Sequence, residues 1–240
     1  MRLFIFFAVS GMLAGEASAF RLTPMRYVLE PSGPEAEITL RLENTFSIDL
    51  PVEIEVYKRT INEEGVEERT SGESDFLVFP PQSLIPVGAE QAFRVRYVGP
   101  PGIEDMVSYV IVVRQLPIRN RDAESSGVDV MLALGTAAYV APNGTKADLS
   151  VTIEPDNEDP ARAILWVANE GSAYGYVDRF DVSLSADDGT NVIIPASEIG
   201  PTLETPLVMP HSKRKVYLTV PETLRGRALA GAEIAPSAEQ

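Results

Sequence analysis

The chain has 240 residues, contains no cysteine and carries a formal net charge of −15. The absence of cysteine excludes disulfides, thiol catalysis and cysteine-ligated metal sites. So large an excess of acidic residues argues against binding to the phosphate backbone of nucleic acids, which requires clusters of Lys and Arg. A hydrophobic fraction of 45% is sufficient for the core of one large domain or two ordinary domains.

The first 19 residues have the features of a cleaved signal peptide. Arg2 provides the positive start, the apolar run extends from Leu3 to Ala14, and Ala17-Ser18-Ala19 is the small-residue cleavage site. The apolar run is shorter than the roughly 20 residues that a membrane-spanning helix needs. We therefore expect export, no membrane insertion and a mature chain that begins at Phe20.

The first half of the mature chain is typical of short β-strands separated by turns. Polar and apolar residues alternate in Glu37–Glu43, Val52–Tyr57 and Ala92–Val98. In the last of these, Arg94 and Arg96 share one face, whereas the aromatic and aliphatic residues occupy the other. The spacing of the strands and of the Gly- and Pro-rich turns predicts a sandwich of two antiparallel sheets.

The most informative segment of this half runs from Val107 to Val140. An apolar strand, Val107–Pro117, is followed by a charged loop and then by a second strand with apolar residues at period two. These apolar residues are Val128, Val130, Leu132 and Leu134. If this strand is left open, its backbone and apolar row can complete the sheet of another protein. The alternative is that it pairs within its own domain, with the apolar face in the core.

The second half continues the pattern of strands and turns. Five further segments are predicted to be strands: Asp148–Ile153, Ala163–Asn169, Arg179–Leu184, Asn191–Ile194 and Val216–Val220. The turn-rich joint Ala141–Lys146 separates the two halves. We therefore predict an all-β protein with two immunoglobulin-like β-sandwich domains in tandem, at residues 20–141 and 142–240.

No pattern of catalytic or metal-binding residues is found. His211 is the only histidine, and we expect it to be solvated in a polar loop at residues 210–215, outside any Ser-His-Asp triad. One imidazole cannot build a metal cluster of the histidine type. The acidic stretch Glu63–Arg69, with Glu73 and Asp75 beyond it, is predicted to be a solvated hairpin or loop. We therefore expect no enzymatic activity, no metal site and no cofactor.

Several segments in order along the chain resemble one known family. They are Met25–Leu29, Phe79–Gly88 followed by Phe93–Val95, Val113–Pro117, Val167–Gly171 and Val208–Pro210. Together they are similar to landmarks of the periplasmic pilus-assembly chaperones, which consist of two immunoglobulin-like domains. The match is better in the first half of the chain than in the second.

The resemblance implies a binding function without catalysis. Chaperones of this family bind a pilus subunit that lacks one strand, by inserting a strand of their own, and deliver it to an outer-membrane usher. The inserted side chains would here be Val128, Val130 and Leu132, with Leu134 next in phase. The resemblance further implies a periplasmic location, and a free donor strand favours a self-capping homodimer.

In this family two basic residues in the cleft between the domains hold the terminal carboxylate of the subunit. Arg26 matches the first of them, although a solvated surface arginine is the alternative interpretation. Ala137 stands where the family has a lysine, and no Lys or Arg occurs between Arg121 and Lys146. Arg114 is the first substitute to consider, followed by Arg94 and Arg96. A second hypothesis for the whole protein is an exported structural or adhesive module that donates no strand.

Overall fold

The structure is a computed structural model that describes residues 20–117 and 131–237. Ten strands lie in the first half of the chain. They are β1 (Arg21–Thr23), β2 (Arg26–Leu29), β3 (Glu37–Glu43), β4 (Leu50–Ile61), β5 (Glu67–Ser71), β6 (Phe76–Phe79), β7 (Gln82–Ile85), β8 (Glu90–Tyr97), β9 (Val107–Gln115) and β10 (Ala133–Val140).

These strands form two sheets that face each other across one core. The first sheet has the order β1-β3-β8-β6, and the second has the order β2-β10-β9-β4-β5, with β7 paired to the beginning of β4. All these pairs are antiparallel except β2 with β10, which run parallel. Strands β4 and β5 form a long hairpin at the edge of the second sheet.

Eight strands and one helical turn follow in the second half, as far as residue 237. They are β11 (Leu149–Pro155), β12 (Arg162–Asn169), β13 (Gly175–Tyr176), β14 (Phe180–Ala186), β15 (Asn191–Ile194), α1 (Ala196–Ile199), β16 (Leu207–Val208), β17 (Ser212–Thr219) and β18 (Leu229–Pro236). The sheets have the orders β11-β12-β17, β13-β16 and β15-β14-β18. Short 3₁₀ turns at Pro34–Ala36, Glu73–Asp75, Val177–Arg179, Gly200–Thr202 and Glu222–Leu224 connect the strands of both halves.

The hydrophobic pattern explains which faces of the strands are buried. In β8 the side chains of Phe93, Val95 and Tyr97 are buried, whereas those of Arg94 and Arg96 are exposed. This is the division predicted from period two. Strand β9 is central in its sheet and is buried on both faces from Ser108 to Val113. Burial of both faces accounts for its continuous apolar run.

Each half of the chain has its own hydrophobic core. The buried residues of the first core all lie between Phe20 and Val140, and those of the second between Ala163 and Leu224. The chain is therefore an all-β protein with two immunoglobulin-like sandwiches in tandem, as predicted. The exact boundary at residues 141 and 142 stays a prediction.

A small apolar cluster joins the two domains. Ile61 and Tyr139 of the first domain pack with Tyr174 and Leu207 of the second. Next to it, the Met106 amide donates a hydrogen bond of 2.8 Å to the Ser172 carbonyl. Within residues 20–117 and 131–237, no helix has the length and apolar character needed to cross a membrane.

The prediction of a polar loop at residues 210–215 was wrong for most of its length. Strand β17 begins at Ser212, and Lys213 to Lys215 are part of its pairing with β12. His211 is exposed as expected, but its Nε2 atom lies 3.0 Å from Oδ1 of Asp105 in the first domain. Lys213 and Lys215 lie on the more exposed face of this strand, whereas Arg214 lies on its buried face.

Buried tyrosines are expected to make the fold less stable at alkaline pH. Burial raises the pKa of Tyr27 and of Tyr174 to about 12, whereas an unfolded tyrosine ionises near pH 10. Between these values the unfolded chain loses protons that the folded chain keeps, so the free energy of unfolding falls as the pH rises. We expect a loss of about 2–3 kcal/mol per buried tyrosine between pH 10 and 12.

Urea denaturation at a series of pH values measures this loss. In Tyr27→Phe the contribution of one tyrosine disappears, so the decline should be less steep than in the wild type. An identical slope in the two proteins would show that Tyr27 does not cause the effect.

Candidate functional site

The edge of β10 is open along its first half. Strand β2 pairs with β10 only over Ala137–Val140, beginning with Arg26 opposite Ala137. On its other side β10 pairs with β9 along its whole length. Among the described residues, no strand pairs with the β2 side of Ala133–Thr136. This segment therefore offers a sheet edge to which another strand can be added.

Hydrogen bonds at the two ends of this segment show which backbone groups face the open edge. The Gln115 amide donates to the Leu132 carbonyl at 2.9 Å on the β9 side, and the Ala137 amide donates to the Met25 carbonyl at 2.9 Å on the β2 side. Because the direction of these bonds alternates along a strand, the amides and carbonyls of Ala133 and Gly135 point to the open edge. An added strand would bind these groups.

The apolar row proposed for insertion into a client is described only in part. Val128 and Val130 lie outside the described residues. Leu132 and Leu134 are partly buried and pack against the core of the first domain. They lie on the same face as the buried Thr136, so they continue the domain's own core. Their insertion into a client stays a prediction.

A cavity of about 600 Å³ lies where the open edge meets β2. Its lining includes the small and apolar residues Val110, Gly135 and Ala137, together with three arginines, Arg26, Arg59 and Arg69. Arg26, Ala137 and Val110 lie side by side across β2, β10 and β9. Because Ala137 has only a methyl group, it leaves open the space that a longer side chain would fill.

Arg59 is held firmly beside this cavity. Its Nε and Nη2 atoms donate to Oγ of Ser108 at 2.9 and 2.8 Å, and Nη2 also donates to the Tyr139 hydroxyl at 3.0 Å. Only 11% of its side chain is exposed. Arg69 is directly opposite Arg59 in the β4–β5 hairpin. The sheet therefore presents two neighbouring guanidinium groups from one hairpin.

The ring of Tyr176, in the second domain, is approached by the guanidinium groups of Arg26 and of one further arginine, Arg179. The Cζ atoms of Arg26 and Arg179 are 5.4 and 4.7 Å from the centre of its ring. Burial, and to a lesser extent Tyr139, raises the pKa of the Tyr176 phenol, so the ring stays neutral. An arginine that lies over an aromatic ring keeps its charge and its planar N–H groups, so the guanidinium of Arg26 suits a carboxylate ligand.

Arg114 does not line this cavity. It lies on the same face of the sheet, but four residues farther along β9 than Val110, which is about 13 Å by strand geometry. Its Nε and Nη2 atoms donate to the two carboxylate oxygens of Glu55 at 2.9 and 2.7 Å. The hydrogen bond from Arg114 lowers the pKa of Glu55. A role for Arg114 in client binding stays a prediction.

Arg94 and Arg96 lie in the other sheet of the first domain. They form ion pairs with Glu37 at 3.0 and 3.5 Å. The structure therefore brings Arg26 together with Arg59 and Arg69, which the sequence analysis did not identify as site residues. The turn signal at residues 62–65 predicts the hairpin that places Arg59 near Arg69, but nothing in the sequence shows that this hairpin shares a sheet with Arg26.

The tip of the β4–β5 hairpin binds the second domain. The Lys215 amide donates to the Glu63 carbonyl at 2.7 Å, and Nζ of Lys215 lies 2.5 Å from Oε1 of Glu64. Gly65 has a φ of +81°, and the guanidinium of Arg214 occupies the place of the Cβ atom that it lacks. The acidic side chains at the tip are exposed, as predicted, but Glu63 and Glu64 also contact the second domain.

Arg214 is a buried cation that sequence analysis missed. It is 4% exposed, and its Nη1 atom donates to the carbonyls of Thr205 and Leu207 at 2.6 and 2.8 Å. Burial lowers the pKa of this guanidinium, although an arginine remains charged at neutral pH. The β4–β5 hairpin thus carries Arg59 and Arg69 on its strands, and its tip contacts the second domain.

Comparison with known proteins identifies the fold. No family model matches the sequence, and no curated protein is similar to it. Among solved structures, the class 5 fimbriae chaperone CfaA has 12% sequence identity and a TM-score of 0.57, over 92% of this chain and 100% of that chain.

Two complexes contain chains of the same fold. A chain of the CsuC–CsuE chaperone–tip adhesion subunit complex of Acinetobacter baumannii has 17% identity and a TM-score of 0.56, over 89% of this chain and 98% of that chain. A chain of the SafA pilin–SafB chaperone complex of Salmonella enterica has 13% identity and a TM-score of 0.55, over 93% and 98%. The protein thus has the tandem immunoglobulin-like fold of the fimbrial chaperones.

Proposed function

We propose that this protein is an exported, non-enzymatic chaperone that binds an incomplete immunoglobulin-like pilus subunit by strand donation. The observation that carries the proposal is that the open edge of β10 runs directly into a cavity lined by Arg26, Arg59 and Arg69. The edge supplies backbone hydrogen bonds, and the cavity supplies charge. Neither role needs a cofactor.

The position of the arginines favours one direction for the client strand. A strand added beside Ala133–Gly135 has to end near Arg26, because β2 occupies the rest of the edge. If the strand ran antiparallel to β10, its amino terminus would meet the arginines and be repelled. A strand parallel to β10 brings its carboxylate to them, where charge-assisted hydrogen bonds form. The client is therefore bound through its carboxy-terminal strand.

The apolar row would provide most of the binding free energy. Burial of an aliphatic side chain stabilises a complex by roughly 1.5–3 kcal/mol. In our proposal Val128, Val130, Leu132 and Leu134 contribute in this way to the core of the client. Leu132 and Leu134 already contact the core of the first domain. Only the part of each side chain that is still exposed would be buried against the client.

The solved structures support the class of partner. Those of the same fold include a chaperone bound to a pilin and a chaperone bound to a tip adhesion subunit. We propose a periplasmic location, delivery of the subunit to an outer-membrane usher, and a self-capping homodimer that covers the open edge when no client is bound.

Co-purification tests the proposal. The mature chain is expressed in a bacterial periplasm with the secreted β-rich subunits encoded next to it, and it is then isolated. We expect a stoichiometric complex, which Arg26→Ala should weaken by about 10- to 100-fold through the loss of a charged hydrogen bond. Arg41→Ala is the matched control, because Arg41 is an exposed arginine paired with Glu90 in the other sheet.

Leu132→Glu separates the two interpretations of the apolar row. Loss of the complex by a folded variant supports strand donation, whereas unfolding of the free protein shows that Leu132 belongs to the core alone. A clean monomer that captures no subunit would sink the proposal and favour an exported structural or adhesive module.

A further inference from the structure

A carboxylate of the protein itself lies between the two arginines of the hairpin. Oε2 of Glu67 is 3.4 Å from Nη1 of Arg59, and Oε1 is 2.6 Å from Nε of Arg69. Each oxygen thus faces a different guanidinium. Glu67 is two residues from Arg69 on β5 and on the same face. Its side chain is 20% exposed.

Arg59 is poorly satisfied at the atom that faces Glu67. Its Nε and Nη2 atoms hold Ser108 and Tyr139, so the guanidinium cannot turn towards Glu67. The remaining contact from Nη1, at 3.4 Å, is long for a hydrogen bond between charged groups, which is usually about 2.7–2.9 Å. Among the described residues, Glu67 is the only acceptor of this nitrogen. A carboxylate bound in the cavity that Arg59 and Arg69 line could approach Nη1 more closely than Glu67 does.

We propose that Glu67 is an internal competitor, which holds Arg59 and Arg69 in the free protein and is displaced by the carboxylate of the client. This inference rests on the proposed function, because it concerns the same cavity. The three arginines carry a charge of +3, and Glu67 reduces it to +2. The site therefore remains attractive to one further carboxylate, but with a lower affinity than the arginines alone would give.

The structure provides a place for the displaced side chain. A neighbouring cavity of about 490 Å³ is lined by Glu67, Arg69, Glu204 and Thr205. Arg69 lines both cavities, and 48% of its side chain is exposed. Glu67 can therefore move outwards while it keeps a contact with Arg69. The exchange replaces one carboxylate on Arg59 by another, so no charge is left without a partner.

Glu67→Gln tests this inference with a defined probe. The probes are two N-acetylated peptides of alternating valine and serine, identical except that one ends in a free carboxylate and the other in a carboxamide. In Glu67→Gln the peptide with the carboxylate should bind about tenfold more tightly than in the wild type, since the competing charge-assisted contact is lost. Binding of the carboxamide peptide should not change.

Glu68→Gln is the matched control, because it removes the same charge from the adjacent, exposed position of β5. A general change in net charge would strengthen binding equally in both variants. Equal affinities in Glu67→Gln and Glu68→Gln would overturn the inference, as would weaker binding to Glu67→Gln.

Acetate separates this inference from the proposed function, because acetate needs no strand pairing. In ¹⁵N spectra, the Nε–Hε signals of Arg59 and Arg69 should shift saturably with acetate, at lower concentrations in Glu67→Gln than in the wild type. The signal of Arg114, which is paired with Glu55, should stay in place. If acetate binds but no peptide does, strand donation is wrong and the competition stands. If acetate causes no saturable shift in Glu67→Gln, the competition is wrong whatever the peptides do.

Discussion

Replacement of Ala133 by proline is expected to abolish capture of a client strand and to leave the protein folded. The Ala133 amide points to the open edge of β10, so the ring of proline removes no hydrogen bond to β9. It does remove a donor that a client strand would use, and it places carbon atoms where the client backbone would lie. Both effects disrupt the backbone hydrogen bonds that would join β10 to a client strand. We therefore expect a loss of affinity of at least tenfold.

Affinity for the co-expressed subunit and the circular dichroism spectrum of the free protein are the two measurements. Ala133→Ser is the control, since it keeps the amide and adds a small side chain at an exposed position. Normal binding by a folded Ala133→Pro protein would show that clients do not pair with this edge.

Replacement of Asn169 by alanine is expected to reduce the free energy of unfolding by about 3–4 kcal/mol. The side chain is fully buried at the end of β12. Its Nδ2 atom donates to the carbonyls of Ala173, Val208 and Met209 at 2.8, 3.2 and 3.1 Å. Alanine leaves these groups buried without their donor, and an unsatisfied buried polar group costs about 1–3 kcal/mol.

The first domain has the same arrangement of hydrogen bonds. Asn44 is fully buried and donates to the carbonyls of Ile48, Ile85 and Pro86. Each domain therefore has one asparagine that fixes the loops at one end of its sandwich. Asn44→Ala should have a loss of similar size.

Urea titration monitored by the fluorescence of Trp166 measures the effect in the second domain. Trp166 is the only tryptophan and lies in β12, three residues before Asn169. Asn191→Ala, at an exposed position, is the control and should change the stability by less than about 0.5 kcal/mol. A similarly small effect of Asn169→Ala would contradict the role assigned to its hydrogen bonds.

The two sandwiches could be predicted because many of their strands carry a local signal of their own. In β3, β8 and β12 the alternation of side chains separates a buried face from an exposed or half-buried face, and the structure confirms the two sandwiches. The buried position of Arg214 had no such signal. It lies between two lysines, and its burial depends on the carbonyls of Thr205 and Leu207, which the fold brings to it.

The composition of the cavity could be predicted only in part. Arg26 was found through the resemblance, and the same resemblance implied a lysine where this chain has Ala137. Arg59 and Arg69 reach the same cavity from β4 and β5, on the far side of β9. That proximity depends on the order of the strands in the sheet, which is a long-range property that local periodicity does not contain.

The hairpin that bears Arg59 and Arg69 also limits how the two domains can be exchanged. At its tip, Gly65 has no Cβ atom, and the guanidinium of Arg214 from the second domain occupies that space. A hybrid that joined the first domain to the second domain of a distant relative would lose this fit unless β17 matched the tip. The domains are therefore not independent modules, and successful recombination would have to transfer residues 62–66 and β17 together.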